Sequence, residues 1–304
     1  MTQGPLHGIS QWQAEFTASQ KLPLEYVDKI ETVFSDRLCH DALHRIGAKS
    51  PLLLGIYGAQ GSGKSTLAAY LAKRHESYGR GQCVVLSMDD FYFTKAQRQQ
   101  LARDVHPLLL TRGVPGTHDI VLLETTLDRL INFEGPVSIP RFDKLVDDRI
   151  PETQFHTVIA APSLVILEGW CVGIQTQNPA DLTRPMNDLE RIDDPDGIWR
   201  NYVNACLERD YLRVWTRLDE LWALLAPGFN VVSQWRLEQE VRLGAGSDKP
   251  VMTAQQVERF VQYYERLTRS SLQAMPEFAD LCLHLDTQRR ITEITEGKRR
   301  FYEC

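Results

Sequence analysis

The sequence predicts an α/β fold of three layers around a mainly parallel sheet, on three observations. Short apolar runs alternate along the chain with helix-like stretches, as connected parallel strands require. The first run ends in a glycine-rich turn that opens straight into a segment rich in helix formers. The chain has 304 residues, 43% hydrophobic and 24% charged, ordinary values for a globular protein with a sizeable core.

The elements come in this order. Residues 24–46 carry Leu24, Val27, Ile30, Phe34, Leu38, Ala42 and Ile46 at spacings of three and four, an amphipathic helix. With no chemistry visible there, residues 1–49 read as a helical extension packed on the main domain. PLLLGIYG is a buried strand, and KSTLAAYLAKRH a helix. QCVVLSM (82–88) is the second strand, IVLLETTLDRLINF (120–133) a helix, and SLVILEGW (163–170) the third strand, with an acid near its end. Residues 175–197 are acidic, rich in Pro and Asn and without period, which predicts an irregular surface insertion or a mobile loop. Residues 198–217 are helical, LWALLAP (221–227) a strand, VVSQWRLEQEVRL and 253–272 helices, and DLCLHLD (280–286) a late strand. No repeat interrupts the series, so the expectation is a single domain.

Composition excludes some partners. The net charge of −6, with no basic run and no basic–aromatic interleaving, speaks against nucleic acid. No apolar run is long enough for a bilayer, and MTQGPLHGISQWQ has no leader pattern. Six scattered cysteines without a C-x-x-C pair read as reduced thiols. A cytoplasmic location is therefore expected. The oligomeric state is not legible.

GAQGSGKS, Gly58–Ser65, fits G-x-x-x-x-G-K-[ST] between a strand and a helix, the P-loop of a P-loop NTPase-type fold. Glycines let the loop wrap with its N–H groups toward phosphate oxygens. Gly58, Ala59, Gln60, Gly61, Ser62, Gly63, Lys64 and Ser65, with Thr66, are the expected contacts to ATP. Lys64 reaches the outer phosphates, and Ser65 places its hydroxyl on Mg²⁺. Glu168 closes the strand LVILE, where an acid beside a P-loop assists the metal, although such acids are more often Asp.

The remaining acids select the reaction. No N-K-x-D stretch supports a GTPase, and DPDG at 194–197 lies in the irregular segment. SMDDFYF puts Asp89 and Asp90 just after the second strand, on the ligand side of a parallel sheet. Transfer to an alcohol needs a group that takes or orients its proton. Asp89 is assigned that task and Asp90 a structural one, helix capping included.

HPLLLTRGVPGTHD (106–119) combines two prolines and two glycines with Arg112, His118 and Asp119. It comes after the aspartates, so it belongs to the acceptor side. Arg112 offers a planar fork for a carboxylate. His118 and Asp119 are placed to bond hydroxyls, or Asp119 to cap the helix starting at Ile120. RFDK brings Arg141, Asp143 and Lys144 to the same pocket, with Arg149 nearby. Phe91, Tyr92 and Phe142 leave open a stacking slot for a nucleoside acceptor.

In order and in letters, GAQGSGKS, DDFY, RGVPGTHD, IPRFDKLVDDR and VILEGW resemble the phosphoribulokinase/uridine kinase/pantothenate kinase family of P-loop kinases. HPLLLTRGVPGTHD, PMNDLERIDDPDGIWRNYVN and WRLEQE most resemble the D-glycerate 3-kinase branch and its kinase-like relatives, over roughly residues 50–290. The resemblance implies a kinase using ATP and Mg²⁺, Asp89 as base, and a helical lid at 230–243 supplying arginine to the phosphates: Arg236, with Arg242 as a second candidate. It implies a small-molecule acceptor, glycerate first, with pantothenate-like or nucleoside acceptors, or ATP binding without catalysis, as the alternatives.

Overall fold

The computed structural model describes residues 9–39, 51–79, 81–244 and 252–299. Ten strands are present among them: β1 (Leu52–Gly58), β2 (Gln82–Ser87), β3 (Val137–Ile139), β4 (Phe142–Asp143), β5 (Asp148–Arg149), β6 (His156–Val158), β7 (Pro162–Gly169), β8 (Glu220–Leu225), β9 (Leu281–Leu285) and β10 (Ile291–Glu296). Six form one sheet in the order β10-β9-β8-β1-β7-β2. All its pairings are parallel except β10 against β9. β3 pairs with β6, and β4 with β5, as two small antiparallel ribbons.

Every residue of β1 and β8 is buried, because helices cover both faces. Alternate residues of each strand serve opposite sides. Leu53, Tyr57, Val165 and Leu167 belong to one core; Leu54, Ile56, Leu164 and Ile166 belong to the other.

The second of these cores is covered by α1 (Gln11–Gln20), α2 (Glu25–Val33) and α3 (Lys64–Ser77). Trp12, Phe16 and Tyr26 gather around Tyr70 of α3. Glu31 accepts from the Tyr70 hydroxyl at 2.6 Å and pairs with Arg74. Of the amphipathic stretch, Val27, Ile30, Phe34 and Leu38 are buried and Leu24 is exposed; the helix continues as a π-helical turn at Phe34–Cys39, and Ala42 and Ile46 lie outside the described residues. α1 packs Trp12 and Phe16 against this core, and its buried residues are the polar Gln13 and Thr17.

Further helices are α4 (Lys95–Asp104), α5 (Ile120–Ile131), α6 (Asp188–Asp193), α7 (Ile198–Cys206), α8 (Leu212–Trp215), α9 (Phe229–Gly244) and α10 (Ala254–Phe278). A π-helical turn, Leu207–Tyr211, joins α7 to α8. The first core takes α5 and α7, and α10 contributes to both cores.

Residues 175–197 are not a loose loop. They contain a 3₁₀ turn at Pro179–Leu182 as well as α6. Fully buried Glu190 meets Arg266 of α10 at 2.6 Å, and Asp194 meets Arg200 of α7 at 2.9 Å, both pairs out of solvent. Short-range period carries no trace of such long-range pairs, so the segment reads as irregular from sequence. Cys83, Cys171, Cys206 and Cys282 are free and buried. No helix among the described residues is long and apolar enough to cross a membrane.

Candidate active site

The site lies at the carboxyl ends of β1, β2 and β7, where a parallel sheet binds ligands. Gly58 ends β1, and the loop after it turns through Gly61 (φ +80) and Gly63 (φ +93), left-handed positions that favour glycine. A Cβ on Gly61 would also lie 2.7 Å from the Cβ of Trp235 on α9. The loop runs into α3 at Lys64, so the unbonded N–H groups and positive pole of that helix open at the loop, an arrangement suited to an anion. Ser65 Oγ donates to Glu168 Oε1 at 2.8 Å, and Lys64 Nζ stands 3.8 Å from Glu168 Oε2. That Oε2 is buried without a hydrogen-bond partner, as is Ser62 Oγ. A hydroxyl beside an under-used carboxylate oxygen is the hard donor set that suits Mg²⁺, which takes its other ligands from water and phosphates. Ser65 and Glu168 fit that ion. Among the described residues no group of three or more His, Cys, Asp or Glu could hold a metal by itself.

A cavity of about 590 Å³ opens over the loop, and Lys64, Ser65, Asp89, Arg112, Lys144, Glu168 and Arg236 all line it. Asp89 sits in the 3₁₀ turn Met88–Phe91 directly after β2. Tyr92 donates its hydroxyl to Asp89 Oδ1 at 2.8 Å, and Lys144 Nζ donates to Oδ2 at 2.5 Å. Burial alone would raise the Asp89 pKa. The Lys144 and Lys64 ammoniums, with these two hydrogen bonds, instead hold it well below the ordinary carboxylate range. Asp90 turns the other way. It accepts from the Phe142 N–H (3.1 Å) and from Arg141 Nη1 (2.9 Å), and so anchors β4. Its pKa is raised, by burial first and then by the Asp89 charge, against those two donors.

The loop 106–119 frames the cavity. His106 accepts from Leu108 N through Nδ1, a turn contact. Trp170 Nε1 donates to the Gly113 carbonyl and Tyr211 accepts from Gly116 N, each at 2.9 Å. Asp119 N donates to the Phe91 carbonyl at 2.7 Å, strapping the loop to the Asp89 turn. Arg112 alone of its charged residues reaches the cavity. Its guanidinium pairs with Asp147 in the β4–β5 turn and lies 5.4 Å from the Phe142 ring centroid.

Several expected acceptor ligands do not line this cavity. His118 is buried behind Tyr92, its ring stacked at 4.5 Å and its Nδ1 bonded to the Tyr211 hydroxyl at 2.8 Å. Burial lowers its pKa to about 4 against the pull of the Asp89 charge. Asp119 caps α5 through Leu122 N at 3.0 Å and pairs with Arg149 at 3.2 Å. Arg141 is spent on Asp90, and Asp143 accepts the N–H groups of Leu145 and Val146 within its own turn. Asp143 and the Asp119 cap are satisfied locally, whereas His118, Arg141 and the Asp119–Arg149 pair meet partners 30 to 93 residues away, which residue type alone does not disclose. Of the aromatic candidates, Phe91 and Phe142 are core residues, and Tyr92 faces the cavity.

Other lining residues were silent in the sequence. Phe260 and Tyr264, one turn apart on α10, line the cavity, as does Trp170. Their helical spacing signals only a core stripe. Arg236 lines it too, paired with Glu240 at 2.7 Å and 5.3 Å from the Phe260 ring centroid. The Arg242 side chain is outside the described set. Arg289, in the β9–β10 turn, donates to the Gly61 carbonyl at 2.7 Å and pairs with Glu238 of α9 at 2.6 Å. A second cavity of about 320 Å³ adjoins the loop at Gly61, bordered by Thr66, Tyr26 and residues 288–291. Thr66 therefore belongs to this side and not to the first cavity.

No family model matches the chain. It is 35% identical over 232 residues to the Schizosaccharomyces pombe protein named "Uncharacterized kinase mug58", covering 70% of this chain and 78% of that one. It is 32% identical over 268 residues to the Saccharomyces cerevisiae "Probable ATP-dependent kinase TDA10", covering 81% and 88%. The solved structure of a D-glycerate 3-kinase from Cryptococcus neoformans superimposes with a TM-score of 0.68 at 25% identity, over 81% of this chain and 90% of that one. Together with the P-loop geometry, these likenesses place the chain in the phosphoribulokinase, uridine kinase and pantothenate kinase family of P-loop kinases, to which it belongs.

Proposed function

We propose that this kinase transfers the γ-phosphoryl group of ATP to a hydroxyl of a small carboxylic acid, D-glycerate before others. The observation that carries the reading is one cavity in which Lys64 and Ser65 of the P-loop, the Asp89 carboxylate and the cations Arg112 and Lys144 face each other. The P-loop and Lys64 would hold the phosphates, and the adjoining cavity at Thr66 and Tyr26 has room for the nucleoside. Mg²⁺ held by Ser65 and Glu168 would neutralise charge on the β- and γ-phosphates. The acceptor hydroxyl attacks the γ-phosphorus in line as the bond to ADP breaks, and its proton passes to Asp89. Arg236, on the helix that covers the loop, is suited to stabilise the charge on the transferred group. Arg112 and Lys144 would fix the carboxylate of the acceptor, which a neutral sugar or nucleoside lacks. The D-glycerate 3-kinase among the structural neighbours supports the same acceptor class.

An ADP-release screen over glycerate, pantothenate, uridine and ribulose 5-phosphate tests this. Glycerate-dependent release is expected. Release dependent only on uridine or pantothenate would move the acceptor class, and ATP binding without turnover would leave a non-catalytic binding protein.

A further inference from the structure

The two partners of Asp89 differ in kind. Tyr92 is buried, stacked on His118, and cannot leave Oδ1 without disturbing the core. Lys144, on Oδ2, stands at the exposed tip of the β4–β5 ribbon with its side chain 58% exposed. The tip itself is fixed from below. Arg98 donates to the Asp147 carbonyl at 2.7 Å, and Arg112 pairs with the Asp147 carboxylate. The lysine side chain can therefore swing while its backbone stays. The ammonium is the solvent-facing half of the pair, its side chain 58% exposed against 27% for Asp89, so an anion entering beside Arg112 can compete for it.

We propose that Lys144 gates the base: without an acceptor it occupies Asp89, and an acceptor's own negative charge draws it off, so that ATP turnover is coupled to binding of an anionic acceptor and transfer to water is suppressed. This rests on the acceptor class proposed above. A cation on a carboxylate reduces its proton affinity, and its departure restores basicity. The low proton affinity of Asp89 in this arrangement agrees, with Lys144 ahead of Lys64 among the charges that lower it. The suppressed reaction is hydrolysis. A water oxygen bonds to the γ-phosphorus, the bond to ADP breaks, and the water proton goes to Asp89 and then to solvent, leaving ADP and phosphate. A neutral alcohol of similar size leaves Lys144 in place and meets the same weakened base.

The test is acceptor-free ADP release at saturating Mg-ATP. Lys144→Gln is expected to raise it roughly tenfold over the unsubstituted enzyme. Adding Asp89→Asn to Lys144→Gln should remove the excess, which a general loosening of the ribbon would not do. The ratio of kcat/KM for glycerate over glycerol should fall in Lys144→Gln. An unchanged or lower acceptor-free rate in Lys144→Gln overturns the gate, whatever acceptor the enzyme uses. If the enzyme phosphorylates no anionic acceptor, the coupling falls together with the acceptor class, even where Lys144→Gln releases more ADP. If glycerate is phosphorylated and that rate does not rise, the gate alone fails.

Discussion

Asp89 and Asp90 are neighbours in sequence with opposite surroundings, so the same substitution should report differently at each. Asp90 is 8% exposed and accepts two hydrogen bonds that anchor β4. Asp90→Asn should cost about 1–3 kcal/mol of stability, read as a lower urea midpoint. Asp89→Asn should instead lower kcat far more than Asp90→Asn does; equal kcat losses at both positions would mean that the two share one task. That the pair stands on the ligand side of the sheet was legible from its place after a strand, but the partners of Asp90, some fifty residues downstream, were not. His118 teaches the same lesson. Its residue type suggests a ligand, while its burial makes it a packed neutral ring. Its folded pKa of about 4 lies below the ordinary 6.5, so between those values the unfolded chain binds the extra proton. Stability should then fall as pH drops from about 6.5 to about 4, by about 3 kcal/mol for a shift of this size. His118→Phe should flatten the fall of melting temperature over that window; an unaltered slope would assign the acid sensitivity to other groups.

At the scale of elements, what sequence discloses depends on how much of a segment is buried. β1, β7 and β8 stand out as apolar runs because both faces are covered. α4, KAQRQQLARD, has one buried residue, Arg98, and no stripe to read. β4 and β5 are two residues each, too short for any period. β10 is a partly exposed antiparallel edge that the alternation of strand and helix does not require. The turn before it carries Arg289, whose guanidinium ties the Gly61 carbonyl to Glu238 and lies 5.0 Å from the Trp235 ring centroid. This turn thus holds the P-loop and α9 in register. Arg289→Ala should raise the KM for ATP roughly tenfold, the worth of a charged hydrogen bond, with the acceptor KM nearly constant. A change confined to the acceptor KM would contradict that placement.

Across the whole molecule, a sheet buried on both faces sets its strand ends as a floor, and the loops and helices above it line the cavity. The segment 175–197 joins that frame through Glu190 and Arg266, a pair almost free of solvent. Removing one partner of such a pair leaves a buried charge, so Arg266→Met should cost about 3–5 kcal/mol. A loss under about 1 kcal/mol, within the range of a surface pair, would return the segment to the status of a loose insertion. The fold and the P-loop were legible because a strand, a glycine turn and a helix adjoin directly in the chain. The far wall of the cavity was legible only in part, since it is assembled from the 106–119 loop, the β4–β5 ribbon and α10. On the proposed function, these parts converge on Asp89 to phosphorylate a small acid. A ³¹P NMR time course with Mg-ATP and D-glycerate follows that transfer itself. The expected result is a phosphomonoester signal growing in step with ADP, and slower by about 100-fold or more in Asp89→Asn. ADP accompanied only by inorganic phosphate, or ester formed equally fast by both proteins, would contradict it.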